Sequence, residues 1–177
     1  VLYSCGLRIS ELTNLLISNL FFVDFFIRIH GKGNKERLVP ISPKAIKELR
    51  IWLDARKHIN ILRGYEDYVF VSRTRGKPLS RISLFVFIRE YAKEAGIHKE
   101  ISPHTFRHSF ATHLLQGGAN LRAVQDMLGH ESLGTTEMYL QLDTTHLREQ
   151  VLMYHPRSDV NKAKKVNPRR FVDTGLF

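Results

Sequence analysis

Between Ser102 and Tyr139 the chain sets out His104, Arg107, His130 and Tyr139 in order, opening on Ser102-Pro103-His104-Thr105-Phe106-Arg107-His108 and passing through Leu128-Gly129-His130. Together these residue types suit one chemistry. His104 and Arg107 can contact phosphate oxygens, His130 is a titratable imidazole, and Tyr139 is a phenol able to attack phosphorus. Other chemistries fit poorly. His104 and His108 have the spacing of a zinc-protease helix, but Thr105 stands where that motif needs Glu. The nearby acids Asp126, Glu131 and Glu137 do not form the carboxylate cluster of a two-metal nuclease. No G-x-S-x-G occurs. A site in this stretch is therefore cationic, with no metal or cofactor expected. Singly, each residue has an ordinary use: a helix-start histidine, a loop histidine, a half-buried tyrosine.

Metal-free phosphoryl transfer has further requirements. It needs a second cationic donor for the non-bridging oxygens and a proton source for the leaving oxygen. Arg8 can be the donor if the fold brings the first helix across, with Glu11 three residues on to hold it. From its own segment the pair reads more readily as a surface ion pair, which is worth little. Lys32, in Gly31-Lys32-Gly33-Asn34, can be the proton source. A lysine on a hairpin tip is more often a solvated charge. This glycine-rich turn lacks the phosphate-loop spacing.

The elements that must position these groups follow from periodicity. Leu2, Cys5, Ile9, Leu12 and Leu16 predict an amphipathic helix over 1–16. Residues 20–41 alternate with period two (Phe25, Ile27, Ile29, then Arg37, Val39, Ile41) and predict a hairpin. Ser42-Pro43 starts a helix to about Lys57 with Ile46, Leu49, Trp52 and Leu53 on its apolar face. Tyr68–Val71 is a strand or a buried extended piece. Residues 79–95 predict a helix with Ile82, Phe85, Ile88 and Ala92 facing in. Ser102-Pro103 opens another, placing His104 in its first turn, an anion-favouring position, and Arg107 on the same face. Phe106, Phe110 and Leu114 form its buried stripe. Asn120 caps a short helix that Gly129 ends, a further helical piece carries Tyr139, and residues 145–154 form a helix bearing Leu147, Val151 and Tyr154. The fold class is α+β, mainly α.

The chain has 177 residues and a net charge of +10. The basic excess lies in the body as well as in the lysine- and arginine-rich residues 158–177, which suggests a polyanion and nucleic acid first. One cysteine, Cys5, excludes an internal disulfide and fits a reducing cytoplasm. No apolar run approaches the ~18 residues of a membrane span, so no membrane partner is expected.

Cys5-Gly6-Leu7-Arg8-Ile9-Ser10-Glu11-Leu12, Gly31 to Pro40, Ser102 to Leu115, Val124 to His130, Thr135-Thr136 and Tyr139 together resemble the catalytic domain of the tyrosine recombinases, the phage-type integrase family. They are most similar to its bacterial Xer-like subgroup, over about residues 1–157. The resemblance implies a helical catalytic domain with a small antiparallel three-stranded sheet. It implies catalytic Arg8, Lys32, His104, Arg107, His130 and Tyr139, with Glu11 supporting Arg8. Gly134 and Leu140-Gln141-Leu142 depart from the usual text but touch none of the six. The implied activity is cleavage and rejoining of DNA strands through a 3′-phosphotyrosyl link, without metal or ATP. The alternatives are type IB topoisomerase-like rejoining of the same strand and a catalytically silent DNA-binding relative. The expected partners are double-stranded DNA and other protomers of a synaptic tetramer, through the helix 145–154. The resemblance also implies an upstream DNA-binding domain outside this chain and a bacterial, nucleoid-associated location; residues 158–177, basic and with few apolar groups, read by composition as a flexible tail.

Overall fold

A computed structural model of the chain describes residues 1–31, 36–129 and 144–158. The start of the chain differs from expectation. The single helix over 1–16 is two short ones, α1 (Leu2–Cys5) and α2 (Ile9–Thr13). Gly6 separates them in the left-handed conformation, φ 58°. A Cβ there would stand 2.5 Å from Phe110 Cδ1, so the Phe110 ring packs on bare backbone. Helical spacing of apolar residues could not reveal this kink, because the residue that requires it lies a hundred positions away.

After a 3₁₀ turn (Ile17–Asn19) come β1 (Leu20–Phe21), β2 (Phe26–His30) and β3 (Glu36–Pro40), an antiparallel sheet in the order β1-β2-β3. The register pairs Leu20 with Ile27, Ile29 with Arg37 and His30 with Glu36. The three-stranded sheet is therefore present as expected. Phe25, expected within the alternation, instead turns the chain into β2 at φ 61°. Next is α3 (Pro43–Arg56), capped by Ser42 Oγ accepting from the Ala45 amide at 3.3 Å. Trp52 Nε1 of α3 donates to the Val69 carbonyl at 2.8 Å. That fixes the extended piece around Val69 and Val71, both fully buried.

Then follow α4 (Arg81–Glu94), α5 (Pro103–Gly117), α6 (Leu121–Leu128) and α7 (Thr144–Tyr154). The apolar side chains form two clusters. One joins α1, α2, the sheet and α3 through Leu7, Leu12, Ile27, Ile29, Val39 and Leu49. The other joins α5, α6 and α7 through Phe110, Leu114, Val124, Met127 and Val151. Leu147 and Tyr154 of α7 pack on the second cluster, so the side of this helix expected to meet a neighbouring protomer lies against its own chain.

α4 corrects a second expectation. It has no buried residue, Ile82 is 77% exposed, and Phe85 and Ala92 are not interior either. Only Leu84 packs on the first cluster. Periodicity identifies an apolar stripe on a helix but not what covers it. No helix among the described residues is long and apolar enough to cross a membrane.

Candidate functional site

The end of α6 organises the site. Gly129 takes φ 64° and stops the helix, which leaves the carbonyls of its last turn without partners inside the helix. Arginines from three other elements reach three consecutive carbonyls there. Arg37 of β3 donates Nε to Met127 O at 2.8 Å, Arg107 of α5 donates Nη2 to Leu128 O, and Arg8 Nη2 lies 3.5 Å from Gly129 O. Arg107 also donates Nη1 to Gly6 O at 2.7 Å, a carbonyl presented by the break between α1 and α2. The negative end of the helix thus collects three guanidiniums.

One carboxylate balances them. Glu11 is 6% exposed and accepts four hydrogen bonds. Two come from Arg8, from its backbone N–H at 2.8 Å and its Nη1 at 2.9 Å. Two come from Arg37, Nη1 at 2.8 Å and Nη2 at 2.9 Å, in a bidentate fork. Burial of Glu11 works against its charge, but the Arg37 bonds and charge, with those of Arg8, outweigh it and hold its pKa below the usual carboxylate value. Arg8 is the N-cap of α2, and its side chain remains 41% exposed. Arg107 is pushed down to about 10, first by burial and then by Arg8 and Arg37, against the pull of Glu11; it stays protonated at neutral pH. Three guanidiniums facing one carboxylate leave a positive site with one arginine open to solvent. Such a site attracts an anion with several oxygens, because planar guanidinium groups pair with two oxygens at once.

Of the residues singled out from the sequence, Arg8, Glu11 and Arg107 meet here. His104 is exposed in the first turn of α5, one turn before Arg107. That turn is closed by Pro103 and by Thr105 Oγ1, which accepts from the Ser102 amide at 3.1 Å. Lys32, His130 and Tyr139 lie outside the described residues. Their neighbours are described: Lys32 follows β2 and precedes β3, His130 follows Gly129, and Tyr139 falls between α6 and α7. Among the described residues no group of three His, Cys, Asp or Glu side chains could hold a metal ion. Sequence reasoning missed Arg37. The available signal was a charged residue at an inward position of the β3 alternation, beside Val39.

Comparison with known proteins identifies what the chain is similar to. Residues 1–146 match the family model described as the phage integrase family. The tyrosine recombinase XerD of Chlorobaculum tepidum is 48% identical over 156 residues, covering 88% of this chain and 51% of the relative. The crystal structure of the XerA recombinase superposes with a TM-score of 0.68 at 35% identity, over 89% of this chain and 56% of that one. The XerH site-specific recombinase bound to palindromic difH substrate, a post-cleavage complex, gives 0.63 at 31% identity, over 86% and 43%. The chain spans about half the length of the curated relatives it matches.

Proposed function

The chain belongs to the phage integrase family, as a Xer-like tyrosine recombinase, and from that membership we propose that residues 1–157 are the catalytic unit of a site-specific DNA recombinase. Tyr139 Oη attacks the scissile phosphorus. A 3′-phosphotyrosyl bond forms as the bond to the 5′-oxygen breaks, and Lys32 gives that oxygen its proton. Arg8, Arg107 and His130 hold the non-bridging oxygens, and His104 helps manage the Tyr139 proton. The 5′-hydroxyl of a partner strand then attacks the phosphotyrosine and releases Tyr139. Bond count is conserved, so no ATP is required, and the arginines and Lys32 take the charge-stabilising and acid roles.

The observation that carries this reading is the convergence of Arg8 and Arg107 on adjacent carbonyls at the end of α6, one guanidinium being substantially exposed. Charge developing on a pentavalent phosphate is stabilised by such fixed donors, by about 3–4 kcal/mol for each one removed. Fixing them before the substrate arrives avoids reorganisation during the reaction.

The substrate partner is duplex DNA, which places the work in the cytoplasm at the nucleoid. The protein partners are further protomers of a synaptic tetramer, joined through residues 145–154. Because the apolar side of α7 is covered in the single chain, assembly requires that contact to be exchanged for one with a neighbour.

The test uses a pool of nicked duplexes with randomised sequence. Wild-type chain should leave DNA covalently attached after denaturation, and sequencing the trapped strands identifies the site. Tyr139→Phe should trap none. An adduct formed by the phenylalanine variant would remove Tyr139 as nucleophile.

A further inference from the structure

We propose that Arg37 is a positioning residue for the phosphate clamp: it locks Glu11, and through Glu11 Arg8, to the end of α6. The inference rests on the reading of Arg8 as a phosphate ligand.

Arg37 is 9% exposed, so it is not available to DNA. Its fork is spent on Glu11 Oε1 and Oε2, and its Nε on Met127 O. One planar group therefore fixes both the carboxylate that holds Arg8 and the last turn of the helix that precedes His130. The site is shaped around it. A Cβ on Gly129 would lie 3.2 Å from Arg37 Cδ and 3.3 Å from its Cζ and Nε, closer than side chains ordinarily pack. Arg37 also stands opposite Ile29 in the β2–β3 ladder. It thus ties β3, the carboxylate that holds Arg8 and the end of α6 to a common point.

Lysine cannot reproduce this. Its single ammonium can reach Glu11 or the Met127 carbonyl but cannot present two parallel N–H groups to the carboxylate and a third to the carbonyl. With Arg37 replaced in this way, Glu11 keeps only the Arg8 backbone and Nη1 bonds and is free to rotate. Arg8 then loses its fixed direction while keeping its charge. A displacement of about 1 Å in a group that must meet a reacting phosphate slows reaction on the order of 10²-fold.

The experiment compares wild type, R37K, R8K and the double variant R8K/R37K for the rate of covalent adduct formation on the nicked duplex recovered from the pool. R37K should bind that duplex at low salt as the wild type does, yet form adduct roughly ten- to a hundredfold more slowly. R8K/R37K should be no slower than R8K, because Arg37 acts through Arg8. A wild-type rate for R37K, or a double variant slowed by the full product of the two single factors, overturns the proposal. A second measurement does not depend on the chemistry. The side-chain N–H resonances of Arg8 in ¹⁵N-labelled protein should be resolved in the wild type and shifted or broadened in R37K. If they are unchanged, Arg37 does not position Arg8, whatever the adduct assay gives. If the wild type forms no adduct while these resonances respond, the proposed reaction fails and the positioning stands.

Discussion

Glu11 is a buried carboxylate between two guanidiniums, and the cationic site depends on its charge. In the unfolded chain it titrates near 4.5, and in the fold its pKa is lower. An acid with a depressed pKa stabilises the fold above its unfolded value, and that contribution is lost as pH falls through the folded one. Denaturant melts should therefore lose stability below about pH 4.5. Glu11→Gln should remove that part of the slope. At neutral pH the same variant should be less stable by about 3–5 kcal/mol, because Arg37 is left buried without its counter-charge. A Glu11→Gln melt equal to the wild type at pH 7 would show that the pair is not structurally coupled. The sequence offered Arg8 and Glu11 only as neighbours at i and i+3, a spacing that fits an exposed pair as well as a held one. The second arginine on Glu11 comes from a strand 26 residues away, and local spacing carries no information about it.

The break between α1 and α2 sets the position of Arg107 as well as that of Arg8. Gly6 frees its carbonyl for Arg107 and its bare Cα for the Phe110 ring. Gly6→Ala places a methyl group on Phe110 and strains a left-handed backbone. It should cost about 2–4 kcal/mol by thermal or denaturant melting, beyond a helix-propensity effect. A stabilised Gly6→Ala would mean that Phe110 moves away freely. The same Phe110 ring also meets His155, just after α7. The His155 ring is 2% exposed and packs between Tyr3 and Phe110, with ring centroids at 4.7 and 5.7 Å. Nε2 lies 3.4 Å from Tyr3 O, and Nδ1 accepts from the Arg157 amide at 3.1 Å, a pairing that the neutral ring satisfies on both sides. Burial first, and then the His113 and Arg157 charges against the Tyr3 contact, pushes His155 down to about 4. A base with a depressed pKa takes its proton in the unfolded chain first. Stability is thus complete above about 6.5 and is lost as pH falls toward about 4. The loss is on the order of 2–3 kcal/mol. Melting temperatures across pH 7 to 4.5 should show this slope, and His155→Phe should flatten it.

At the scale of the whole molecule, the net charge of +10 and the three-arginine cluster lead to a binding prediction. Affinity for duplex DNA should fall steeply with salt, by about 10³-fold between 50 and 200 mM if some six phosphates are neutralised. A binding curve without a salt slope would count against a phosphate-dominated interface. The arginines link elements of the two apolar clusters. Arg8 and Arg37, from the elements of the first, reach carbonyls at the end of α6, and Arg107 of α5 reaches Gly6 O.

Residue chemistry, residue order and element type were determined by the sequence alone. Helix caps such as Ser42-Pro43, the hairpin alternation and the stop at Gly129 are local signals, set by backbone sterics and by hydrogen bonds within a few residues. Tertiary structure alone decided which cations converge. Arg37 gave only an inward-facing charge as its sign, and what gathers it with Arg8 and Arg107 at the end of α6 is a run of backbone carbonyls, which every residue has. The same holds for α4, whose apolar stripe promised a core position and lies exposed. A stripe records what a helix could bury, whereas burial depends on which surfaces the rest of the chain brings to it.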